Sequence, residues 1–175
     1  VAEANNETGI VGLAPDATAA SFRVKWAKGE ITKAIAKQNQ VDISNNSWGA
    51  ITPFSDDFSS ASLMVDYANI RYAVETGREG LGTVFVWSAG NSRSLGDNVN
   101  HHNYQNARES ITVAAVEPTD ISSSFSTPGA AILVSAYGSE ILTTNRIDIG
   151  EPDYNPGFNG TSAAAPQVSA IVALM

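Results

Sequence analysis

The stretch Thr83-Val84-Phe85-Val86-Trp87-Ser88-Ala89-Gly90-Asn91 constrains the fold most. It is apolar at nearly every position and rich in β-branched and aromatic residues, so it reads as a buried strand that stops at an Ala-Gly-Asn turn. A second short strand, Val41 to Asn45, runs into Asn46-Ser47-Trp48-Gly49. Between the two, Leu63, Tyr67, Ile70 and Val74 recur at helical spacing, and Gly77 is placed to end that helix. Further strands are expected over Ala17 to Val24, Ile111 to Val116 and Ala131 to Ala136, with a short helix over Glu30 to Gln38. Strand, helix, strand, helix, strand in this order predicts an α/β fold of three layers, a parallel sheet with helices on both faces. Ligands of such sheets gather at the carboxyl ends of the strands, where Ser47-Trp48-Gly49 and Asn91 fall. Ser55 to Ser60 and Ser92 to Asn103 read as polar surface loops on that same edge. With no internal repeat and no linker, residues 1–175 form a single domain.

Composition narrows the partners. A chain that is 43% hydrophobic and 16% charged is globular in character. A net charge of −8 and a pI near 4.6 offer no basic footprint for nucleic acid and mildly favour cationic peptides. No cysteine is present, so there is neither a disulfide framework nor thiol chemistry, and the compartment stays open. No stretch approaches the length of a membrane span, and no signal peptide pattern opens the chain.

The chemistry concentrates at Asn159-Gly160-Thr161-Ser162-Ala163-Ala164-Ala165-Pro166, a small-residue turn that leads into an apolar helix. A serine hydroxyl becomes a nucleophile only when it is exposed and beside a base, and small neighbours leave room for a substrate backbone at Ser162. The competing reading is a helix N-cap followed by proline in the first turn. Asn91 has two readings as well, a hydrogen-bond donor to a developing oxyanion or a turn residue after Gly90. Trp48 reads as a core aromatic as readily as a groove residue. Gly49 is harder to assign to packing, since glycine weakens a strand unless another backbone must come close.

Taken together, Ser47-Trp48-Gly49, Ala89-Gly90-Asn91 and Gly160-Thr161-Ser162-Ala163-Ala164-Ala165-Pro166 resemble, in order, the motifs of the subtilisin-like serine peptidases, and the resemblance covers essentially the whole chain. Gly77-Arg78-Glu79-Gly80-Leu81-Gly82-Thr83-Val84-Phe85-Val86-Trp87, followed by Asp97, Asn100 and Tyr104, is similar to the kexin-like branch. This resemblance implies a serine endopeptidase with Ser162 as nucleophile, and with the Asn91 side chain and the Ser162 backbone N–H as oxyanion donors. Ser47, Trp48 and Gly49, with Ala89 and Gly90, would hold a peptide or protein substrate by strand addition. The family's triad runs Asp, His, Ser. Val1 to Asn6 resembles the tail of the helix that begins at the catalytic His, so the Asp and His are expected before Val1. The domain is then incomplete at its N-terminal side, and its missing part is an expected partner. The end at Met175 also falls within the helix that starts at Ser162. The 175 residues alone are expected to be inactive. The alternative is a non-catalytic peptide-binding relative or a processed fragment. His101 and His102 match no triad motif and read as solvated loop residues.

Two further implications come with the resemblance. Residues 4–12 are similar to a structural calcium segment, with carbonyls of Ala4, Thr8 and Ile10 and the side chain of Asn6 as ligands, incomplete without a carboxylate from before the catalytic His. Thr52 and His102 stand where the kexin-like branch has acidic residues in its primary specificity pocket, so its strict preference for basic residues is not expected, unless Asp56 or Asp57 compensates. The family also suggests a secreted or periplasmic location.

Overall fold

The computed structural model describes residues 4, 7, 9–24, 29–145, 150 and 152–175. Its centre is a four-stranded parallel sheet in the order β1 (Ile43–Asn46), β2 (Val84–Ser88), β3 (Ser110–Val116), β4 (Ile132–Tyr137). Side chains alternate across a strand, and β2 makes both layers of core. Phe85 and Trp87 face one way, packing with Ile35, Ile70, Ala73 and Tyr104 beneath α1 (Glu30–Ile35), α2 (Met64–Thr76) and α3 (Asn103–Asn106). Val86 faces the other way, with Val113 and Ala115 against Ala164, Ala165 and Val168 of α4 (Thr161–Ala173). Ala164 and Ala165 have no exposed surface, and their small side chains let the α4 backbone lie close to the sheet. The expected three-layer α/β fold is therefore observed.

The elements differ from expectation in four places. Residues 17–24 make no strand, and most are exposed. A strand exists only where a neighbour completes its hydrogen bonds, and β1, the edge of the sheet, is not paired with this segment. An antiparallel pair absent from the sequence reading, β5 (Ile141–Thr144) with β6 (Tyr154–Phe158), precedes α4. Asn155-Pro156-Gly157 inside β6 reads as turn punctuation; proline fits there because a two-stranded pair leaves each strand an unpaired edge. The loop from Ser92 to Asn103 is not simply solvated. It folds into short 3-10 turns at Arg93–Leu95 and Val99–His101 and buries Asp97, Val99 and His102. α4 closes at Ala173, two residues before Met175.

Candidate active site

The register of β1 against β2, Asn46 opposite Trp87, brings the segments after both strands side by side. Ser47-Trp48-Gly49 and Ala89-Gly90-Asn91 thereby become two walls of one pocket of 300 Å³, to which Ser162 also contributes. Asp97, His102 and Gln105 are also among its lining residues.

Two buried threonines fix the Gly90-Asn91 turn. Gly90 has φ +97°, a conformation that favours glycine. Its N–H donates to Thr161 Oγ1 at 3.1 Å, and its carbonyl accepts from Thr127 N at 2.9 Å. Thr127 Oγ1 also accepts from Ser92 N at 2.9 Å. Asn91 Oδ1 accepts from Thr161 twice, from N at 2.9 Å and from Oγ1 at 2.9 Å. The oxygen end of the amide is thus occupied and its orientation settled. Nδ2 lies on the side of Gly160, 3.3 Å from where a Cβ would stand there. Glycine at 160, with φ +137°, keeps that space open.

Ser162 is the second residue of α4, after an N-cap at Gly160 that makes no side-chain cap. The hydroxyl is therefore not a helix cap. Ser162 Oγ donates to the Ser47 carbonyl at 3.4 Å, and Ser47 Oγ donates to the Ser162 carbonyl at 3.1 Å. Pro166 explains the second bond. It sits inside α4 four residues on, and having no N–H it cannot serve the Ser162 carbonyl, so Ser47 does. The Ser162 N–H belongs to the first helical turn, whose amides lack intrahelical acceptors.

Trp48 proves both core and groove. It is half-buried, edge-on to Trp87 and Tyr104 at 5.0 and 5.1 Å between ring centres, while also lining the pocket. Its indole N–H donates to Asn46 Oδ1 at 3.2 Å; Asn46 Nδ2 donates to Ser44 Oγ at 2.8 Å, and Ser44 Oγ to Gln38 Oε1 at 2.7 Å. The Trp48 carbonyl accepts from Trp87 Nε1 at 2.7 Å. At Gly49 what comes close within the chain is a side chain rather than the expected backbone: Gln105 Nε2 would stand 2.5 Å from a Cβ.

His102 corrects the sequence reading. It is 2% exposed, and its Nε2 lies 2.9 and 3.0 Å from the two oxygens of Asp97, while Nδ1 faces Asp56 Oδ1 at 3.6 Å. Two carboxylates from separate loops enclose the ring, which is why it is not solvated. His101 is partly exposed and packs against Phe54. Behind this group Tyr104 donates through its hydroxyl to Asp66 Oδ2 at 2.6 Å, and burial together with that bond pushes the phenol well above the usual tyrosine range.

The expected calcium ligands Asn6 and Thr8 lie outside the described residues, as does most of the Val1 to Asn6 segment. Ala4 and Ile10 are described, and both are partly buried. Among the described residues no group of His, Cys, Asp and Glu side chains is arranged to hold a metal ion, and no helix is long and apolar enough to cross a membrane.

The sequence reading gave no structural task to Thr161 or Asn46, and it noted Thr127 only as standing where the kexin-like branch has a calcium-binding carboxylate; the structure shows these three holding the turn and the tryptophan. A threonine before Ser162 and an Asn-Asn pair before Ser47 were visible, but only the contacts give them a task.

Comparison with known proteins agrees with the geometry. The chain is 36% identical over 185 residues to the dibasic-processing endoprotease of Schizosaccharomyces pombe, covering 99% of this chain and 25% of that protein. It is 29% identical to proprotein convertase subtilisin/kexin type 6 of Rattus norvegicus, covering 99% of this chain and 19% of that protein. The chain thus spans a quarter or less of the length of these curated relatives. Among solved structures, a protease of Pseudoalteromonas arctica superposes with a TM-score of 0.74 at 24% identity, over 97% of this chain and 53% of that one. A lanthipeptide protease also gives 0.74, at 23% identity, over 93% of this chain and 56% of that one. These two likenesses bear on the fold. The sequence model of the Subtilase family matches residues 1–175 in full. The chain belongs to the subtilase family, in its kexin-like branch.

Proposed function

We propose that this chain carries the nucleophile, the oxyanion donors and the substrate-binding strand of a serine endopeptidase. One observation supports the reading above the others. Ser162, the Asn91 amide held by Thr161, and Ser47-Trp48-Gly49 border a single pocket at the carboxyl ends of β1 and β2. A peptide added along residues 47–49 would bring its scissile carbonyl to Ser162 Oγ. Attack there makes a tetrahedral oxyanion, and Asn91 Nδ2 with the Ser162 N–H would donate to it.

The base is not among these residues. Both histidines of the chain are in the Ser92 to Asn103 loop, His102 Nε2 is taken by Asp97, and the Ser162 hydroxyl bonds a carbonyl rather than an imidazole. On this reading the general base and its carboxylate would be supplied by residues outside these 175, and the chain by itself should not turn over peptides. The full-length protein should hydrolyse internally quenched peptides, and Ser162→Ala should abolish this with the circular dichroism spectrum unchanged. Retention of substrate binding by a full-length protein that never cleaves would favour the peptide-binding alternative.

A further inference from the structure

Asp97 and His102, a carboxylate and an imidazole shielded from water, line the pocket beside Ser162, and a second buried carboxylate, Asp56, faces the ring from outside that lining. Asp97, His102 and Asp56 are 8%, 2% and 3% exposed. His102 Nε2 reaches both oxygens of Asp97, at 3.0 and 2.9 Å, and Nδ1 faces Asp56 Oδ1 at 3.6 Å. The remaining donors to these acids also come from the protein itself. Asp97 Oδ1 accepts from Asn98 N at 2.8 Å and has His101 Nδ1 at 3.6 Å, while Asp56 Oδ2 accepts from Tyr104 N at 3.2 Å. Asp97 and His102 are the only titratable side chains that line the pocket among the described residues.

We propose that His102 masks the acidic floor of this pocket, filling from within the protein the place that a basic substrate side chain would otherwise take. The pocket then accepts an uncharged side chain at the residue before the cut. This inference rests on the peptidase reading. Two buried carboxylates left bare would attract a guanidinium or ammonium group strongly, because an unpaired buried charge is costly and a charge-assisted pair relieves it. Here the imidazole already bonds both oxygens of Asp97 and faces Asp56 Oδ1 at 3.6 Å. For an arginine to reach Asp97 it must displace the imidazole, which breaks the buried contacts of His102 Nε2 with both oxygens of Asp97. The rest of the lining carries no charged side chain: Gly49, Ala50, Ile51, Ala89 and Gly90 present backbone and apolar groups, and Trp48 and Gln105 stand beside them.

The test compares the full-length protein with its His102→Ala and His102→Gln variants on peptides that differ only in the residue before the cut. The wild type should cleave peptides with glutamine, methionine or leucine there at least about tenfold better than those with arginine or lysine. Removing the imidazole should raise the ratio of arginine to uncharged cleavage about tenfold or more, and adding Asp97→Asn should cancel the gain. A wild type that prefers arginine, or a folded His102 variant with an unchanged ratio, overturns the proposal. Failure of every variant to cleave any peptide would instead count against the peptidase reading. In that case binding of the fluorescent cation p-aminobenzamidine still reads the pocket. Binding at least tenfold tighter to His102→Gln than to wild type supports masking, and equal binding overturns it. Should His102→Ala fail to fold, the wild-type profile and His102→Gln carry the same decision.

Discussion

Ser47 Oγ donates at 3.1 Å to the carbonyl of Ser162, the one carbonyl near the start of α4 that Pro166 leaves without an N–H. Proline thus exposes a strong acceptor on the candidate nucleophile's own backbone, and the candidate substrate strand satisfies it. The strand and the helix are locked at the point where substrate would enter. The lock also makes Ser47 a positioning residue for Ser162.

Ser47→Ala should therefore cost stability, about 1 kcal/mol for a part-buried acceptor left unpaired. Pro166→Ala restores the missing N–H, so the double variant should lose much less than the two single changes predict. A double-mutant cycle from urea midpoints measures this coupling. Strict additivity would show that the Ser162 carbonyl does not link the two residues.

Asn91→Ala should lower kcat of the full-length protein about 10²–10³-fold with little change in KM, a magnitude taken from removal of an oxyanion-hole asparagine in a subtilisin. Thr161 orients that amide through two bonds to Oδ1. Thr161→Val, which removes the hydroxyl, should lower kcat with KM nearly unchanged, whereas Thr161→Ser should retain activity close to wild type. Equal kcat values for the two threonine variants would remove Thr161 from the positioning role.

Tyr104 makes stability fall at alkaline pH. Its folded-state pKa is raised, by burial first and then by the bond to Asp66. Below about pH 10 the phenol is neutral in both the folded and unfolded chain, so this contribution is fully present. Above that the unfolded chain ionises first, and stability is lost as pH rises toward the folded pKa. Urea midpoints between pH 9 and 11.5 should decline less steeply in Tyr104→Phe than in wild type. Equal slopes would contradict the assignment.

What was legible in the sequence was local. The apolar run of β2 announces a strand buried on both faces, and the three short motifs announce where the carboxyl ends of the strands meet the start of α4. What was not legible depends on groups distant in sequence. His102 stands among asparagines, and only the arrival of Asp56 from another loop turns its position into a buried one. The bond from Ser47 to Ser162 requires knowing that Pro166 lies inside the helix rather than at its first turn. Residues 17–24 carry a strand-like pattern, but pattern alone supplies no neighbour to complete a ladder. The β5 and β6 pair was hidden by Asn155-Pro156-Gly157, whose composition signals a break.

The assignment of Ser162 as nucleophile is decided by covalent capture of its hydroxyl. The full-length protein treated with a biotinylated peptidyl diphenyl phosphonate should be modified once, at Ser162, as located by mass spectrometry of its peptides. Ser162→Ala should abolish the labelling while leaving the fold intact. Undiminished labelling of Ser162→Ala, or modification of a different residue in the wild type, would contradict the account.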